Sequence, residues 1–533
     1  MQLQEESFKY PAQPSGIPER APKKEAIFDA DALTRALRIA GAVLVVASLI
    51  SSLVMLDSNI VAVALPTIAS NLNASFSEMQ WVLSGYVLPF ASLLLVSGAL
   101  GDIYGRRRAA IVGQVVFAAA SLACGLATSP MALIASRALQ GAGASMLLTA
   151  ATAIINATFQ GADRARAYAF FGASLGIAIT IGPIVGGLLS SLFGWHWVFL
   201  VNPPLCVALI VASGKVLPES SDPNAKRLDV AGFLTFSAGL FLLTWALVDG
   251  NVLGWLSSPT LARLAIGAIF VVAFVLVEAM QRRPMVDLAL FRSRKFLGSA
   301  AAMLGYSGGA QVMIFYLPLF LQVDYGFSAA RAGFSMLPFA LPMFLAPRVA
   351  GKLSASWLPR TMLSLGLGVA VAANLCIAAC ALLGVPYAVF AFAMVFAGTG
   401  AGLLNGETSK ALQGSVPVER AGMASGISTT TRFTGLLLGI SGLGAVLTAT
   451  ATARLLGEQG RLSLGFDTLA ALARRFASGD VAGVVQSAPP HIRMALEAAL
   501  RRSFDGGFAT AGLCAATVAA TSLLLTNLLL RES

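Results

Sequence analysis

The sequence predicts an all-α polytopic membrane protein of fourteen transmembrane helices, built as two six-helix bundles with two helices inserted between them. Three observations predict it. Hydrophobic residues make up 57% of the 533 and charged residues only 11%, where soluble domains carry about 25% charge. The apolar residues come in runs of about 20, the length of a bilayer-crossing helix, and not as ten-residue alternating strands of a membrane barrel. The positive charge is also lopsided, concentrated in every second connection.

Residues 1–38 are polar and carry Pro11, Pro14, Pro18 and Pro22. They read as a disordered cytoplasmic tail and not as a signal peptide, because no short apolar core precedes a small-residue cleavage site. The first bundle occupies 39–214, with apolar helices at 39–65, 81–100, 109–128, 131–157, 166–193 and 197–214. A linker, 215–296, holds helices at 230–249 and 261–281. The second bundle, 297–533, holds helices at 297–321, 331–353, 360–383, 387–412, 422–449 and 508–530. Its last two helices are separated by a long outer loop, 451–507, with helix-like stretches at 467–478 and 491–504 split by Pro489-Pro490. Leu469, Leu472 and Phe476 share one face, as do Leu496, Leu500 and Phe504. A helical hairpin over the outer mouth and a segment resting on the membrane are both open readings.

With both chain ends in the cytoplasm, the short outer loops hold only Arg263 and Arg331 of the 36 Lys and Arg residues. Most of the others fall in the tail and the inner loops, as the positive-inside rule requires. The net charge of +11 therefore points to membrane orientation and not to nucleic acid. Trp81, Trp195, Trp197 and Trp255 fall near outer helix ends and Trp357 near an inner one, where aromatic belts belong.

The five cysteines all sit in apolar helices, with no His or carboxylate nearby to complete a metal site, so no metal and no cofactor is expected. The pairs Gly214-Lys215 and Gly351-Lys352 lack the first glycine and the following Ser or Thr of a phosphate loop. No ATP is expected to be hydrolysed and no enzyme activity is implied; energy would come from a gradient.

GALGDIYGRRR, residues 98–108, follows the second helix. Gly98, Gly101 and Gly105 allow a tight turn, with Asp102 beside Arg106, Arg107 and Arg108. GKLSASWLPRT, residues 351–361, follows the tenth helix. There Gly351, Leu353 and Arg360 match Gly98, Leu100 and Arg107, while Ala355 and Leu358 replace Asp102 and Gly105. A motif that recurs at equivalent helices of two halves is what internal duplication produces.

Four further stretches complete an ordered set: LDSNIVAVALPTI at 56–68, RALQGAGA at 137–144, GPIVGG at 182–187 and WHWVFLVNPP at 195–204. On these residues the chain resembles the major facilitator superfamily, in its 14-helix drug:proton antiporter branch of quaternary-ammonium and multidrug exporters. The likeness covers roughly 39–450 and 503–530. One departure is His196, where that family usually has Arg. The resemblance implies proton coupling at the first-helix Asp57, a cytoplasmic gate at Gly98, Gly101, Asp102, Gly105, Arg106 and Arg107, and an antiporter signature at Gly182, Pro183, Gly186 and Gly187.

Asp57 is a carboxylate inside an apolar helix, which is costly and by default functional. It lies about 12 Å from the outer end of its helix and Arg137 about 9 Å from the same side, at roughly 1.5 Å per residue. A shared depth would let Arg137 support the charge that burial opposes. The alternative is a fixed ion pair that staples helices 1 and 4. Gly182-Pro183 should kink helix 5, with Gly186-Gly187 packing closely and Gly172 and Gly176 extending a small-residue stripe. Glu407 stands where the family is usually uncharged. It reads either as a second proton or cation site with Arg432 as partner, or as a local pair with Lys410 at i+3. Gln311, Tyr316, Gln322 and Asn405 are polar positions for a substrate cavity. Gln311 and Gln322, eleven residues apart, would share a helical face.

The expected function is proton-driven export of lipophilic, cationic drugs or toxic compounds across the bacterial cytoplasmic membrane by alternating access. The partners would be a small-molecule substrate, protons and membrane lipids, without nucleic acid or ATP. A dedicated exporter of an endogenous natural product, siderophore or lipid is the first alternative. A non-transporting receptor or scaffold is the second.

Overall fold

The computed structural model describes residues 30–221, 229–281, 286–354, 356–416, 421–458, 472 and 490–531. Among the described residues every regular element is helical. The chain runs α1 (Ala30–Leu72), α2 (Phe76–Tyr104), α3 (Arg106–Gly125), α4 (Pro130–Thr158), α5 (Gly161–Leu192), α6 (Trp197–Leu200) and α7 (Asn202–Val216). Then come α8 (Val230–Leu253), α9 (Ser258–Met280) and α10 (Arg294–Gly305), followed by a π-helical segment (Tyr306–Gln311) and α11 (Met313–Val323). The remaining helices are α12 (Ala329–Phe334), α13 (Leu337–Leu353), α14 (Pro359–Leu383), α15 (Tyr387–Gln413), α16 (Ala421–Gly457) and α17 (Arg493–Leu529).

Among the described residues thirteen helices are long and apolar enough to cross a membrane, and fourteen if α2, bent by 51°, is counted as one span. The spans alternate in direction, so the described start of α1 and the end of α17 lie on one face. That face also carries Gly105 and is called the Gly105 face; the opposite one, with the turn at 73–75, is the Asn73 face.

Side chains that satisfy orphan backbone groups set the helix starts. Ser75 and Glu78 form a reciprocal capping box on α2: the Ser75 N–H donates to Glu78 Oε2 at 2.7 Å and the Glu78 N–H to Ser75 Oγ at 3.1 Å. Ser129 caps α4 ahead of Pro130, and Ser328 caps α12. Gly105 joins α2 to α3 alone, at φ +106°, a conformation few side-chain-bearing residues adopt.

Three features depart from the sequence reading. Helix α1 already begins at Ala30, inside the stretch 1–38 read as a disordered tail. The last helix begins at Arg493, so the 491–504 stretch is the first turns of α17 and not one arm of a hairpin. Leu496, Leu500 and Phe504 are buried in the bundle, and continuous packing of that face carries the helix past the bilayer length. The 467–478 stretch falls almost entirely outside the described residues. Trp195 is only 1% exposed and stacks on His196 at 4.0 Å, inside the protein and not in an aromatic belt, whereas Trp197 and Trp255 are exposed.

The halves meet along two seams. On one, α5 lies against α12 and α13: a Cβ on Gly187 would run into the Ala329 carbonyl, and one on Gly333 into the Pro183 carbonyl. Thr180 Oγ1 also reaches the Ala340 carbonyl at 3.3 Å. On the other, α2 lies against α16, with Ser84 Oγ 3.2 Å from Ser441 Oγ and Phe90 edge-on to Phe433 at 4.4 Å. Gln322 adds a bond from α11 to the Val63 carbonyl of α1 at 3.0 Å. These contacts lie at mid-depth and towards the Asn73 face. The inserted pair α8–α9 packs at the α2–α16 seam, where Asp249 Oδ1 accepts from Ser77 at 3.1 Å and its Oδ2 from Arg263 at 3.2 Å.

Candidate functional site

Asp57 and Arg137 meet, as their depths suggest. Arg137 Nη1 donates to Asp57 Oδ2 at 2.7 Å, and the side chains are 1% and 0% exposed. Two neutral amides complete the cradle. Gln140 Nε2 donates to Asp57 Oδ1 at 2.8 Å and Asn202 Nδ2 to the same oxygen at 2.6 Å. Gln140 also reaches Ser121 Oγ at 2.7 Å and accepts from Arg137 at 2.6 Å. The guanidinium lies over the Tyr86 ring, 4.0 Å from its centroid, and its Nε donates to the Val82 carbonyl at 3.3 Å. A buried ion pair holds only when its remaining lone pairs and protons are matched, and here α1, α2, α3, α4 and α7 each contribute a group. Gly141 makes the approach possible: a Cβ there would strike the Tyr86 backbone.

Gln140, Asn202, Ser121 and Tyr86 were not singled out from sequence. Gln140 and Asn202 do lie inside stretches that were, RALQGAGA and WHWVFLVNPP, so the sequence marked the motif but not which member turns inward.

The 98–108 turn bonds to itself and to the start of the linker that follows the first half. Arg106 binds Asp102 Oδ1 through Nη2 at 2.8 Å, one helical turn away. The Arg107 N–H donates to Glu219 Oε1 at 3.1 Å, and the Arg106 N–H to the Ser220 carbonyl at 2.9 Å. Gly98 has open space around its Cα, while Gly101 packs on Ala109. In the repeated turn, Arg360 Nε instead donates to Asn527 Oδ1 of α17 at 3.1 Å. The 182–187 stretch packs as a seam. Gly182 sits against Asn59 and Gly186 against Ile60 of α1, while Gly187 faces the other half. Gly176 meets Phe344, but Gly172 has nothing within 4 Å, so the stripe ends one turn earlier than its spacing suggests.

The second half has its own polar network. Arg432 Nε donates to Gln311 Oε1 at 3.0 Å and its Nη2 to Tyr306 Oη at 3.0 Å; Tyr306 in turn donates to Asn405 Oδ1 at 2.8 Å. Arg432 is half-buried. Glu407 pairs with Lys410 at 3.6 Å, and Lys410 reaches Ser354 at 2.9 Å. Glu407 and Arg432 thus have separate partners. Gln311 and Gln322 do not share a face. The π-helical segment ending at Gln311 breaks the α-helical register, so Gln311 turns to α16 and Gln322 to α1. Tyr316 Oη donates to the Ile440 carbonyl. Among the described residues no group of three or more His, Cys, Asp or Glu side chains could hold a metal ion.

A family model for the Major Facilitator Superfamily matches residues 47–440. Among curated proteins, the "Probable actinorhodin transporter" of Streptomyces coelicolor is 34% identical over 422 residues, 77% of this chain and 72% of that protein. "Multidrug resistance protein Stp" of Mycobacterium tuberculosis is 32% identical over 410 residues, 76% of this chain and 75% of that protein. "Multidrug transporter protein MdtP" of Bacillus subtilis is 30% identical over 465 residues, 87% and 84% of the two chains. Among solved structures, a peptide transporter POT aligns with TM-score 0.60 at 17% identity, over 93% of this chain and 99% of that one. A bacterial homologue of the lysosomal transporter Spinster aligns at 0.57 and 18%, over 92% and 97%. At these identities the structural likeness speaks for the fold alone.

Proposed function

The chain belongs to the major facilitator superfamily, among its drug exporters, and we propose that it exchanges protons for lipophilic, cationic compounds by alternating access across the bacterial cytoplasmic membrane. The observation that carries the reading is the Asp57 cradle: a fully buried carboxylate held by Arg137, Gln140 and Asn202. A staple between two helices needs one partner. This carboxylate has three donors from two helices, α4 and α7, so a change in helix packing alters its hydrogen bonding and with it the ease of protonation.

In this conformer the seams close the Asn73 side, and the 98–108 turn bonds to its own half and the linker start but not to the second half among the contacts described. That supports a form open toward the Gly105 face, which on the distribution of Lys and Arg would be the cytoplasmic one. Entry of substrate from that side and of a proton from the other would then compete for the two ends of one rocking motion. Asp102 and its arginines would lock the halves together in the opposite conformer. The Arg432–Gln311–Tyr306–Asn405 network lines the second half's share of the path. On this reading residues 39–214 and 297–533 are the moving bundles and 215–296 rides at their seam.

A drug-susceptibility panel in an efflux-deficient bacterial host tests this. Wild type should raise resistance to lipophilic cations, and Asp57→Asn, expressed to the same level in the membrane, should not. Export of a single natural product is the second reading, favoured by relatives named for single antibiotics, among them the actinorhodin transporter. Resistance to one compound class alone in the same panel would select it.

A further inference from the structure

On the Asn73 side of the Ser84–Ser441 contact lies a cavity of about 760 Å³, within the range of drug-sized ligand sites. It is formed by both halves, from the end of α1, the start of α2, α11, α16 and the first turns of α17. Its body is apolar and aromatic, with Phe76, Phe315, Leu500 and Phe504 among its walls.

Its polar groups are sorted by depth. At the floor is Gln80, only 5% exposed, whose Nε2 has no well-formed hydrogen bond. Gly444 leaves room for that amide, since a Cβ there would collide with it. Tyr316 Oη beside it donates to the Ile440 carbonyl and can accept one of the two Nε2 protons, which leaves the other for a ligand. Gln80 itself lines the cavity, so its remaining amide proton is available to an acceptor placed there. At the mouth stand Glu78, Glu497 and Arg501. Arg501 faces Asp324 and Asp505, so its charge is offset outside the cavity. Glu78 and Glu497 therefore set the sign at the mouth.

We propose that this cavity is a second ligand site, separate from the Asp57 and Arg432 networks. It would take an amphipathic aromatic molecule with a hydrogen-bond acceptor at its deep end and a cationic group at the mouth. The acceptor would satisfy Gln80 Nε2, the aromatic body would lie between Phe315 and Phe504, and the cation would meet Glu497. The start of α17 thus forms a wall of the site. As a station on the transport path the site rests on the export reading; as a binding site it does not.

The test uses the full-length protein in lipid nanodiscs without any gradient, and rhodamine 6G, a fluorescent aromatic cation with an ester carbonyl, followed by anisotropy. Three variants are compared with wild type: Leu500→Trp, which fills the cavity, Glu497→Gln, which removes the mouth charge, and Gln80→Leu, which removes the floor donor. We expect Kd to rise tenfold or more for Leu500→Trp and threefold or more for each of the others. Thermal unfolding in the nanodisc identifies a misfolded Leu500→Trp, and the two polar variants then decide. Failure of wild type to bind, or unchanged affinity in Glu497→Gln and Gln80→Leu, overturns the proposal. Binding with this pattern in a protein that exports nothing would refute the export reading and leave the site standing.

Discussion

Asn202 Nδ2 donates to Asp57 Oδ1 at 2.6 Å from 145 residues further along the chain, at the first position of α7. With Gln140 on the same oxygen, the carboxylate is coupled to α4 and α7 at once. Losing either amide leaves a buried carboxylate short of one donor, a loss of roughly 1–3 kcal/mol in such surroundings.

Gly141 tests how tightly the cradle is built. A Cβ on Gly141 would overlap the Tyr86 carbonyl, so Gly141→Ala must push α4 off α2 and move Arg137 with it. Overpacking of this kind costs about 1–3 kcal/mol. We expect a lower thermal unfolding midpoint in detergent and at least a tenfold loss of transport. Gly172→Ala, where nothing lies within 4 Å, should leave both unchanged.

The seam between α5 and α12 should behave as a closing surface. Gly333→Val places methyl groups against the Pro183 carbonyl of the other half. Spin labels on either side of the Asn73-face opening should then show a longer distance in the resting protein than in wild type, and vesicles carrying the variant should leak protons faster. An unchanged distance would show that the seam yields without opening.

Asp102→Asn removes the partner of Arg106. That pair lies at a surface turn away from the Arg432 network, so substrate affinity at equilibrium should change by less than about twofold, within the energy range of an exposed ion pair. Transport turnover should fall by a far larger factor, because on the proposed mechanism that charge would lock the opposite conformer. Equal losses in affinity and turnover would make the turn a folding element only.

The helices were legible because hydrocarbon length and apolar runs leave little choice. Asp57 with Arg137 was legible for a related reason: two opposite charges at matching depth in hydrocarbon have few other partners. Gln140 and Asn202 were not, because neutral amides are common at helix contacts and nothing in their spacing says which cavity they face. Gln311 with Gln322 misled because eleven residues make three α-helical turns only where the helix stays α, and the π-helical segment at 306–311 intervenes. The start of α17 misled as well, since its apolar stripe at Leu496, Leu500 and Phe504 fits a membrane-surface helix equally well until its packing partners are known.

The stoichiometry turns on Glu407. Its carboxylate is paired with Lys410 at 3.6 Å, and on the proposed mechanism Asp57 is the exchanging site. One proton against one monovalent cation moves no net charge, so the membrane potential should not drive transport. A potassium-diffusion potential imposed with valinomycin, without a pH gradient, should therefore produce no uphill movement of a monocation. If it does, the extra charge is worth about 2.3 kcal/mol per 100 mV. Loss of the effect in Glu407→Gln would then assign the second proton to Glu407.

The measurement closest to the central claim is uphill transport in proteoliposomes under a pH gradient of one unit with the potential clamped at zero. With a monovalent lipophilic cation as substrate, wild type should approach a tenfold concentration ratio, since one pH unit is worth about 1.4 kcal/mol. Asp57→Asn, reconstituted to the same density, should reach no more than equal concentrations on the two sides. A tenfold ratio in Asp57→Asn would contradict the account, because the proton would then be carried by a group other than Asp57.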